Sequence, residues 1–376
     1  MKTLHTVKAE PIKAFLVGIS SGAGADASAD ELASLADTLE LCIAGTETIV
    51  VREVKNRYGM GSGKAAELSE KALSSGAQCI IFDRELSPSQ QRNWEALCGL
   101  SVLDRQELII RIFASRARTK EAELQAELAE LLYALPRLSH KYIDLSRQRG
   151  GRYGTRGSGE TRLETDRRQI RDRIGFLRKE IEEVRKSRML QRKQRKKQEI
   201  AVCALVGYTN AGKSSLHRAL TGSDVLVENK LFATLDPTAR RVYRQNPSGT
   251  GKNIIFIDTV GFIRRLPHNL VDAFRSTLEE AAQADVLIHV LDASDPAWKE
   301  HSGTVLELLK ELGAEHIPLI TTLNKADLVT PTELGSLETA IGREIPAFSA
   351  AVTAVSAKNR EGLDSLWKLI EKKLKF

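Results

Sequence analysis

Residues 207–214 read "GYTNAGKS", and this stretch decides the fold. It fits the pattern G-x-x-x-x-G-K-[ST] at every position, with the apolar run "AVCALV" before it and the helix-like run "SLHRALTG" after it. In such a strand–loop–helix unit, backbone N–H groups and the helix N-terminus surround phosphate oxygens, the lysine reaches the β- and γ-phosphates, and the hydroxyl holds Mg²⁺. The pattern predicts a phosphate loop made of Gly207, Tyr208, Thr209, Asn210, Ala211, Gly212, Lys213, Ser214 and Ser215.

A second glycine-rich run, "RYGMGSGK" at 57–64, does not fit the same pattern. Tyr58 stands where the first glycine should fall, and Lys64 is followed by Ala65, which has no hydroxyl for a metal. We interpret this run as a flexible glycine turn that opens a helix. A weaker anion-binding role at that helix start stays open.

Two motifs downstream of the phosphate loop predict the γ-phosphate and metal contacts. In "DTVG", residues 258–261, Asp258 can hold Mg²⁺ through water and Gly261 can offer its N–H to the γ-phosphate. In "FATLDPT", residues 232–238, Thr234 can close over Mg²⁺, which we predict is bound by Ser214 and Thr234. Lys213, Thr234 and Gly261 are the predicted catalytic residues. The nucleotide-binding residues predicted from these motifs are Phe232, Ala233, Thr234, Leu235, Asp236, Asp258, Thr259, Val260 and Gly261.

Two further motifs predict that the base is guanine. In "NKAD", residues 324–327, Asp327 can accept hydrogen bonds from guanine N1–H and N2–H₂, for which adenine has no matching donors. Asn324 is expected at the purine edge, the stem of Lys325 on the ring, and a backbone N–H of "SAK", residues 356–358, at guanine O6. The order of the motifs, each at a strand end, predicts GTP or GDP with Mg²⁺. The base-site residues are Asn324, Lys325, Ala326, Asp327, Ser356, Ala357 and Lys358.

The residue after "DTVG" is Phe262, where many small GTPases place a glutamine nearby to orient the attacking water. One interpretation is that Phe262 only packs beneath this segment. The interpretation that we favour is slow intrinsic hydrolysis, completed by a partner or by backbone groups that position the water.

The alternation of strands and helices predicts an α/β protein with three domains. Residues 1–115 read as a parallel α/β domain, with strands such as "TIVVREV" at 48–54. Residues 116–197 read as a coiled-coil-like helical hairpin with two leucine- and isoleucine-rich seams and a Gly/Arg-rich loop at 147–162. Residues 198–376 read as a P-loop GTPase domain, with a mostly parallel sheet and helices on both faces.

Charge is concentrated in residues 147–197, where 19 Lys and Arg face 7 Asp and Glu, a net charge of +12. The whole chain has a net charge of only +7. Arginines interleaved with glycines at a hairpin tip favour an RNA partner, although a solvated basic coiled coil is the common alternative. Contact with an anionic membrane would be peripheral. The predicted RNA-binding residues are Arg149, Arg152, Tyr153, Arg156 and Arg162.

The remaining composition argues against an exported or membrane-spanning protein. The four cysteines are widely spaced without a CxxC pair, and no stretch approaches the roughly 18 apolar residues of a membrane span. We therefore expect a soluble, cytoplasmic protein without disulfides, which acts as a monomer and does not bind DNA.

Several motifs together resemble the HflX family of translation-associated GTPases. These are "GYTNAGKS", "LFATLDPT", "DTVGFIRRLPH", "NKAD" and the basic loop "GGRYGTRGSGETRLETDRR" at 150–168. The chain departs from the family at Ser158, where proline is usual. The resemblance implies a protein that binds the large (50S-type) ribosomal subunit and, with GTP, splits or rescues stalled ribosomes under stress. Two alternatives stay open: an assembly GTPase of the large subunit, and a nucleotide-gated RNA-binding module with little turnover.

Overall fold

The computed structural model describes residues 11–20, 25–51, 57–138, 158–198, 200–222, 230–232, 234–235, 237–245, 249, 251–264, 280–345 and 351–375. The chain divides into two compact units. The first contains residues 1–115 and 127–176, and the second contains residues 116–126 and 177–376. The bounds of the three domains expected from the sequence stay predictions.

The first unit contains a four-stranded parallel sheet in the order β2-β1-β3-β4. Each of the first three strands is followed by a helix, and β4 runs directly into a fourth. The elements are β1 (Lys13–Ser20), α1 (Ala25–Thr38), β2 (Cys42–Val50), α2 (Ser62–Ser74), β3 (Cys79–Phe82), α3 (Pro88–Cys98), β4 (Ser101–Asp104) and α4 (Arg105–Arg116).

Helix α3 shows how local sequence and packing agree in this unit. The Ser87 side chain accepts a hydrogen bond from the Gln90 N–H while the Gln90 side chain bonds back, Pro88 fills the first turn, and Gly99 ends the helix at φ 67°. The helix then buries Trp94 completely, 4.8 Å from the ring of Phe82. A buried aromatic pair of this kind stabilises the sheet–helix packing by about 0.5–1.5 kcal/mol beyond its burial.

Strand β2 differs from the sequence prediction. It was expected at 48–54, but it runs from Cys42 to Val50, in parallel register with all of β1. Most of β2 is at least partly exposed because it lies at the sheet edge, so its apolar residues do not form the continuous run that marks a buried strand. Residues 52–56 lie outside the described part of the chain.

Two helices dominate the segment predicted as a hairpin: α5 (Lys120–Ala134) and α6 (Ser158–Lys197). In the first unit Arg173 pairs with Glu127 at 2.7 Å, and in the second unit Arg188 pairs with Glu121 at 2.7 Å. Leu124 and Leu128, which belong to the first predicted seam, and Ile174 and Leu177, which belong to the second, are buried.

Helix α6 begins at Ser158, so residues 158–162 of the predicted Gly/Arg-rich loop, 147–162, are helical. Serine is favoured near a helix start, and a glycine in the first turn costs less than one in a helix interior. Among the predicted RNA-binding residues, Arg162 therefore lies on the helix. Arg149, Arg152, Tyr153 and Arg156 lie outside the described residues.

The second unit contains a six-stranded sheet in the order β10-β9-β8-β5-β7-β6, parallel except for β6. This confirms the predicted α/β class with a mostly parallel sheet. The elements are β5 (Ala201–Val206), α7 (Lys213–Thr221), β6 (Thr238–Gln245), β7 (Gly251–Asp258), β8 (Val286–Asp292), α8 (Trp298–Glu311), β9 (Leu319–Asn324), α9 (Pro331–Glu344), β10 (Val352–Ala354) and α10 (Leu363–Leu374).

Strand β6 was not predicted from the sequence. Its residues "TARRVYRQ" carry three arginines, and among the described strands it pairs with β7 alone, in antiparallel register. Charged side chains on an edge strand discourage pairing with other chains, but they also remove the apolar signal by which a strand is recognised.

The parallel strands bring the predicted motifs to one edge of the sheet. Leu205 in β5 is in register with Asp258 in β7, and Asp292 in β8 with Asn324 in β9. Since the carboxyl ends of parallel strands share an edge, the loops after β5, β7 and β9 converge there. In the described residues, no helix is both long and apolar enough to cross a bilayer.

Candidate nucleotide-binding site

The phosphate loop connects the end of β5 to the first residue of α7. Its glycines and Asn210 adopt positive φ, with Asn210 at 62° and Gly212 at 90°. A side chain at Gly212 would collide with the amide of Asn324, so only glycine fits there. The loop thus has the strand–loop–helix geometry that the sequence predicted.

Lys213 is a buried cation at the centre of the loop. Its Nζ donates hydrogen bonds to the carbonyl oxygens of Tyr208, at 2.8 Å, and Gly207, at 3.1 Å. Within the described residues no carboxylate forms an ion pair with it. Burial lowers the pKa of Lys213 to about 8, although the charge of Asp258 opposes that shift. A buried ammonium group without a carboxylate partner is suited to binding phosphate.

Three oxygen atoms lie close together beside Lys213: Ser214 Oγ, Thr234 Oγ1 and Asp258 Oδ2. We call them the oxygen trio. The Ser214 hydroxyl lies 2.6 Å from Asp258 Oδ2 and 2.8 Å from the Thr234 hydroxyl, and Thr234 donates to the same Oδ2 at 2.9 Å. Asp258 Oδ1 and the hydroxyl of Thr209, in the phosphate loop, are buried without a hydrogen-bond partner among the described residues. Hydroxyl and carboxylate oxygens are ligands that Mg²⁺ prefers, so this group fits the ion.

The base-recognition motifs are joined to the phosphate loop through Asn324. Its Nδ2 donates to the Ala211 carbonyl at 2.9 Å, and its Oδ1 accepts from the Ala357 N–H at 3.1 Å. Asp327 is exposed, and its Oδ1 accepts a 2.6 Å hydrogen bond from the Ser356 hydroxyl. The two motifs, 324–327 and 356–358, therefore lie side by side as a base site requires.

Sequence reasoning did not predict several contacts of this site. The ammonium group of Lys325 pairs with Asp292 at 2.6 Å, and Asn324 uses its amide on backbone groups. His289 is buried in β8, and its pKa is lowered to about 4 by burial and then by the charge of Lys213. Asp292 is the last residue of β8, as Asp258 is of β7. This position at a strand end is the sequence signal by which Asp292 could have been found.

The segment after Asp258 contacts the phosphate loop. The Thr259 hydroxyl donates to the Leu205 carbonyl at 2.6 Å, and Phe262 and Ile263 are each 1% exposed. Phe262 packs in an apolar cluster with Val206, Ala281 and Leu287. A benzyl group buried in that cluster cannot polarise water.

The other predicted site residues divide into described and undescribed ones. Phe232 and Leu235 are buried, and Val260 is 5% exposed. Ala233 and Asp236 lie outside the described residues.

The second glycine run forms a turn before helix α2. Tyr58 packs on Trp94 in the core, and its carbonyl accepts a hydrogen bond from the Trp94 indole N–H at 3.0 Å. The ammonium group of Lys64 pairs with Glu67 at 2.9 Å and lies 3.6 Å from Glu47. Tyr58 and Lys64 therefore make packing and ion-pair contacts within the first unit, as expected of a structural turn.

Family models match three successive parts of the chain. They are described as "GTP-binding GTPase N-terminal" over residues 26–114, "GTP-binding GTPase Middle Region" over 116–195 and "50S ribosome-binding GTPase" over 202–325. With the phosphate loop, the oxygen trio and the two base-site motifs, they define the class: this chain is a P-loop GTPase, which binds GTP or GDP with Mg²⁺ and hydrolyses GTP.

Curated relatives identify the family within that class. A "GTPase HflX" of Akkermansia muciniphila is 46% identical over 340 residues, which cover 89% of this chain and 76% of that protein. Another, from Caldanaerobacter subterraneus subsp. tengcongensis, is 46% identical over 362 residues, covering 96% and 80%. The chain belongs to the GTPase HflX family, which confirms the resemblance seen in the sequence.

Solved structures agree with this assignment. A crystal structure of SsGBP with GDP superposes with a TM-score of 0.54 at 26% identity, covering 97% of this chain and 98% of the other. A GTP-binding protein from the archaeon Sulfolobus solfataricus, also with GDP, gives a TM-score of 0.51 at 25% identity and covers 97% and 99%.

Proposed function

We propose that this GTPase is a nucleotide-controlled factor of the cytoplasm that binds the large ribosomal subunit and splits or rescues stalled ribosomes under stress. The observation that carries the proposal is the position of Thr234. Its hydroxyl lies within 2.9 Å of both Ser214 and Asp258, so the segment before β6 reaches the oxygen trio directly. A segment tied to this group responds to the nucleotide state.

Each part of the site has a proposed role in GTP binding. Backbone N–H groups of residues 208–214 and the ammonium group of Lys213 bind the phosphates, and Asp327 reads the guanine edge. Ser214 and Thr234 would hold Mg²⁺, which Asp258 would reach through water, and the ion would supply positive charge to stabilise the phosphates. Gly261 presents its N–H to the γ-phosphate.

Hydrolysis in the free protein is expected to be slow. The buried side chains of Phe262 and Ile263 carry no group that can orient water, so the chain depends on backbone groups or on the ribosome to complete the site. The same burial favours the second candidate, an RNA-binding module with little turnover.

The family model described as a 50S ribosome-binding GTPase supports the large subunit as partner. The charge of residues 147–197 supports contact with its RNA through the Gly/Arg-rich loop. We propose that the protein acts there as a monomer.

Co-sedimentation tests the proposal. Purified protein is spun with 70S ribosomes and with 50S subunits, in a non-hydrolysable GTP analogue and in GDP, and splitting is followed by light scattering of 70S particles. We expect analogue-dependent binding to 50S subunits and splitting, both lost on deletion of 149–159. The Ser214→Ala variant lacks a proposed metal ligand but keeps the loop. It should bind 50S subunits equally with the GTP analogue and with GDP.

Three other outcomes would contradict the splitting proposal. Binding that ignores the nucleotide would indicate a basic protein attached to RNA. Nucleotide-dependent binding without splitting, together with accumulated precursor particles in a deletion strain, would indicate assembly. No stimulation of GTP turnover by 50S subunits would favour the RNA-binding module.

A further inference from the structure

Tyr208, the second residue of the phosphate loop, stacks on a histidine of helix α8. The rings of Tyr208 and His301 lie 3.7 Å apart between centroids and 14° from parallel. His301 Nδ1 is in turn 2.5 Å from Asp295 Oδ2. Tyr208 is 9% exposed, so the stack fixes its ring in a largely dry position. The orientation of this phosphate-loop side chain is therefore set by a neighbouring helix.

The hydroxyl of Tyr208 contacts the segment that follows "DTVG". Its Oη accepts a hydrogen bond from the backbone N–H of Arg264 at 2.8 Å. Two backbone bonds lie beside it: the Thr209 N–H donates to the Phe262 carbonyl at 2.8 Å, and the Phe262 N–H donates to the Gly207 carbonyl at 3.1 Å. These three hydrogen bonds, all between described residues, link residues 262–264 to the phosphate loop, and the bond to Tyr208 Oη uses a side chain of the loop.

These bonds fix the position of Gly261, the residue just before them. A Cβ added there would lie 2.7 Å from Thr209 Cγ2 and 3.0 Å from Lys213 Nζ, so the Gly261 backbone is closely packed against the loop. Its position is sensitive to small displacements because there is no free space on the loop side.

Helix α8 also contacts Arg264, the residue whose backbone N–H donates to Tyr208 Oη. The guanidinium of Arg264 pairs with Glu300 at 3.1 Å, and Glu300 is the neighbour of His301 in the chain. Consecutive residues of α8 thus contact the phosphate loop, through Tyr208, and the segment after "DTVG", through Arg264.

We propose that Tyr208 is a positioning residue for GTP hydrolysis. Held by His301 and Asp295, its hydroxyl fixes residues 261–264 at the spacing from Lys213 that presents the Gly261 N–H to the γ-phosphate. This matters in a chain whose Phe262 and Ile263 offer no polar group, since the backbone must then supply the alignment that a side chain gives elsewhere. The inference concerns basal hydrolysis and does not depend on the ribosome.

Tyr208→Phe tests the proposal because it keeps the ring and the stack and removes only Oη. Single-turnover hydrolysis of saturating GTP is measured without ribosomes, alongside the Kd for GDP and the Tm. We expect a roughly tenfold slower hydrolysis step, with Kd and Tm close to those of the unmodified chain. The matched control is Tyr243→Phe, the same change at a tyrosine that is 63% exposed on strand β6, which should alter none of the three.

His301→Gln provides an independent test, because it removes the stacked ring and leaves Oη in place. A slower hydrolysis step with unchanged GDP affinity is expected here too. Hydrolysis within twofold of the unmodified rate in Tyr208→Phe would overturn the proposal. A loss of nucleotide affinity equal to the loss of rate in both variants would also overturn it, because that pattern indicates a purely structural role in the loop.

Discussion

The side-chain amide of Asn324 donates a 2.9 Å hydrogen bond to the backbone carbonyl of Ala211, 113 positions earlier in the chain. Through its Oδ1 the same side chain accepts from the Ala357 N–H. One buried residue therefore joins the phosphate loop to both base-site motifs. The two halves of the nucleotide site are therefore connected by direct hydrogen bonds.

Replacement of Asn324 by alanine is expected to lower the affinity for GDP and for GTP alike. The change leaves the Ala211 carbonyl and the Ala357 N–H without a partner, and each buried unsatisfied group costs about 1–3 kcal/mol. We expect affinity to fall by roughly 10–100-fold, measured by titration with a fluorescent GDP. Asn359→Ala, the same change at an exposed residue of the adjacent loop, is the control. Equal affinities for the two variants would contradict the joining role.

Asp327→Asn is expected to change the choice of base and leave phosphate binding unaltered. An amide at this position offers a donor where guanine also has donors, whereas xanthine has a carbonyl oxygen in place of the guanine amino group. Competition between GTP and XTP should therefore shift towards XTP by at least about tenfold. Unchanged discrimination would show that residues 324–327 do not read the base.

Short-range motifs were predictable, but the contacts between them were not. The phosphate loop could be assigned because eight consecutive residues specify its turn, its N–H groups and its helix start. The stack of Tyr208 on His301 joins residues 93 positions apart, and neither residue belongs to a pattern that indicates the other. Asp292 was missed for the same reason, because its partner Lys325 lies on a different strand end.

The edge strands were the other feature that the sequence did not predict correctly. Strand β5 is largely buried and appears as the continuous apolar run "AVCALV", and strand β9, "LITTLN", is buried along its whole length. Strands β2 and β6 lie at sheet edges, where solvent permits arginine, threonine and glycine between the apolar residues. Their positions depend on pairing with a neighbour, which the local sequence does not encode.

Nucleotide affinity should depend on pH through Lys213. Its pKa of about 8 without nucleotide lies below the ordinary 10.5, and a bound phosphate raises it by stabilising the charged form. Binding therefore takes up a proton above pH 8, and the Kd for GDP should rise about fivefold between pH 8 and pH 9. Lys213→Arg remains charged, so its weaker affinity should not vary over this range. A flat profile for the unmodified chain would contradict the lowered pKa.

Acid should destabilise the second unit through its buried histidines. Burial lowers the pKa of His289 to about 4 and also lowers that of His217, whereas an unfolded histidine titrates near 6.5. Between those values the unfolded state binds more protons, so the stability present above pH 6.5 is lost as pH falls towards 4. For one histidine the slope is at most about 1.4 kcal/mol per pH unit.

Urea unfolding at pH 7 and pH 5, followed in His289→Gln and in the unmodified chain, measures this effect. We expect the variant to lose less stability between the two pH values, because glutamine has the polar amide but no titrating group. His316→Gln is the matched control, since His316 is exposed and the substitution is the same. If all three proteins lost the same free energy of unfolding, the acid sensitivity would have to arise elsewhere, with the buried carboxylates of the first unit next to be tested.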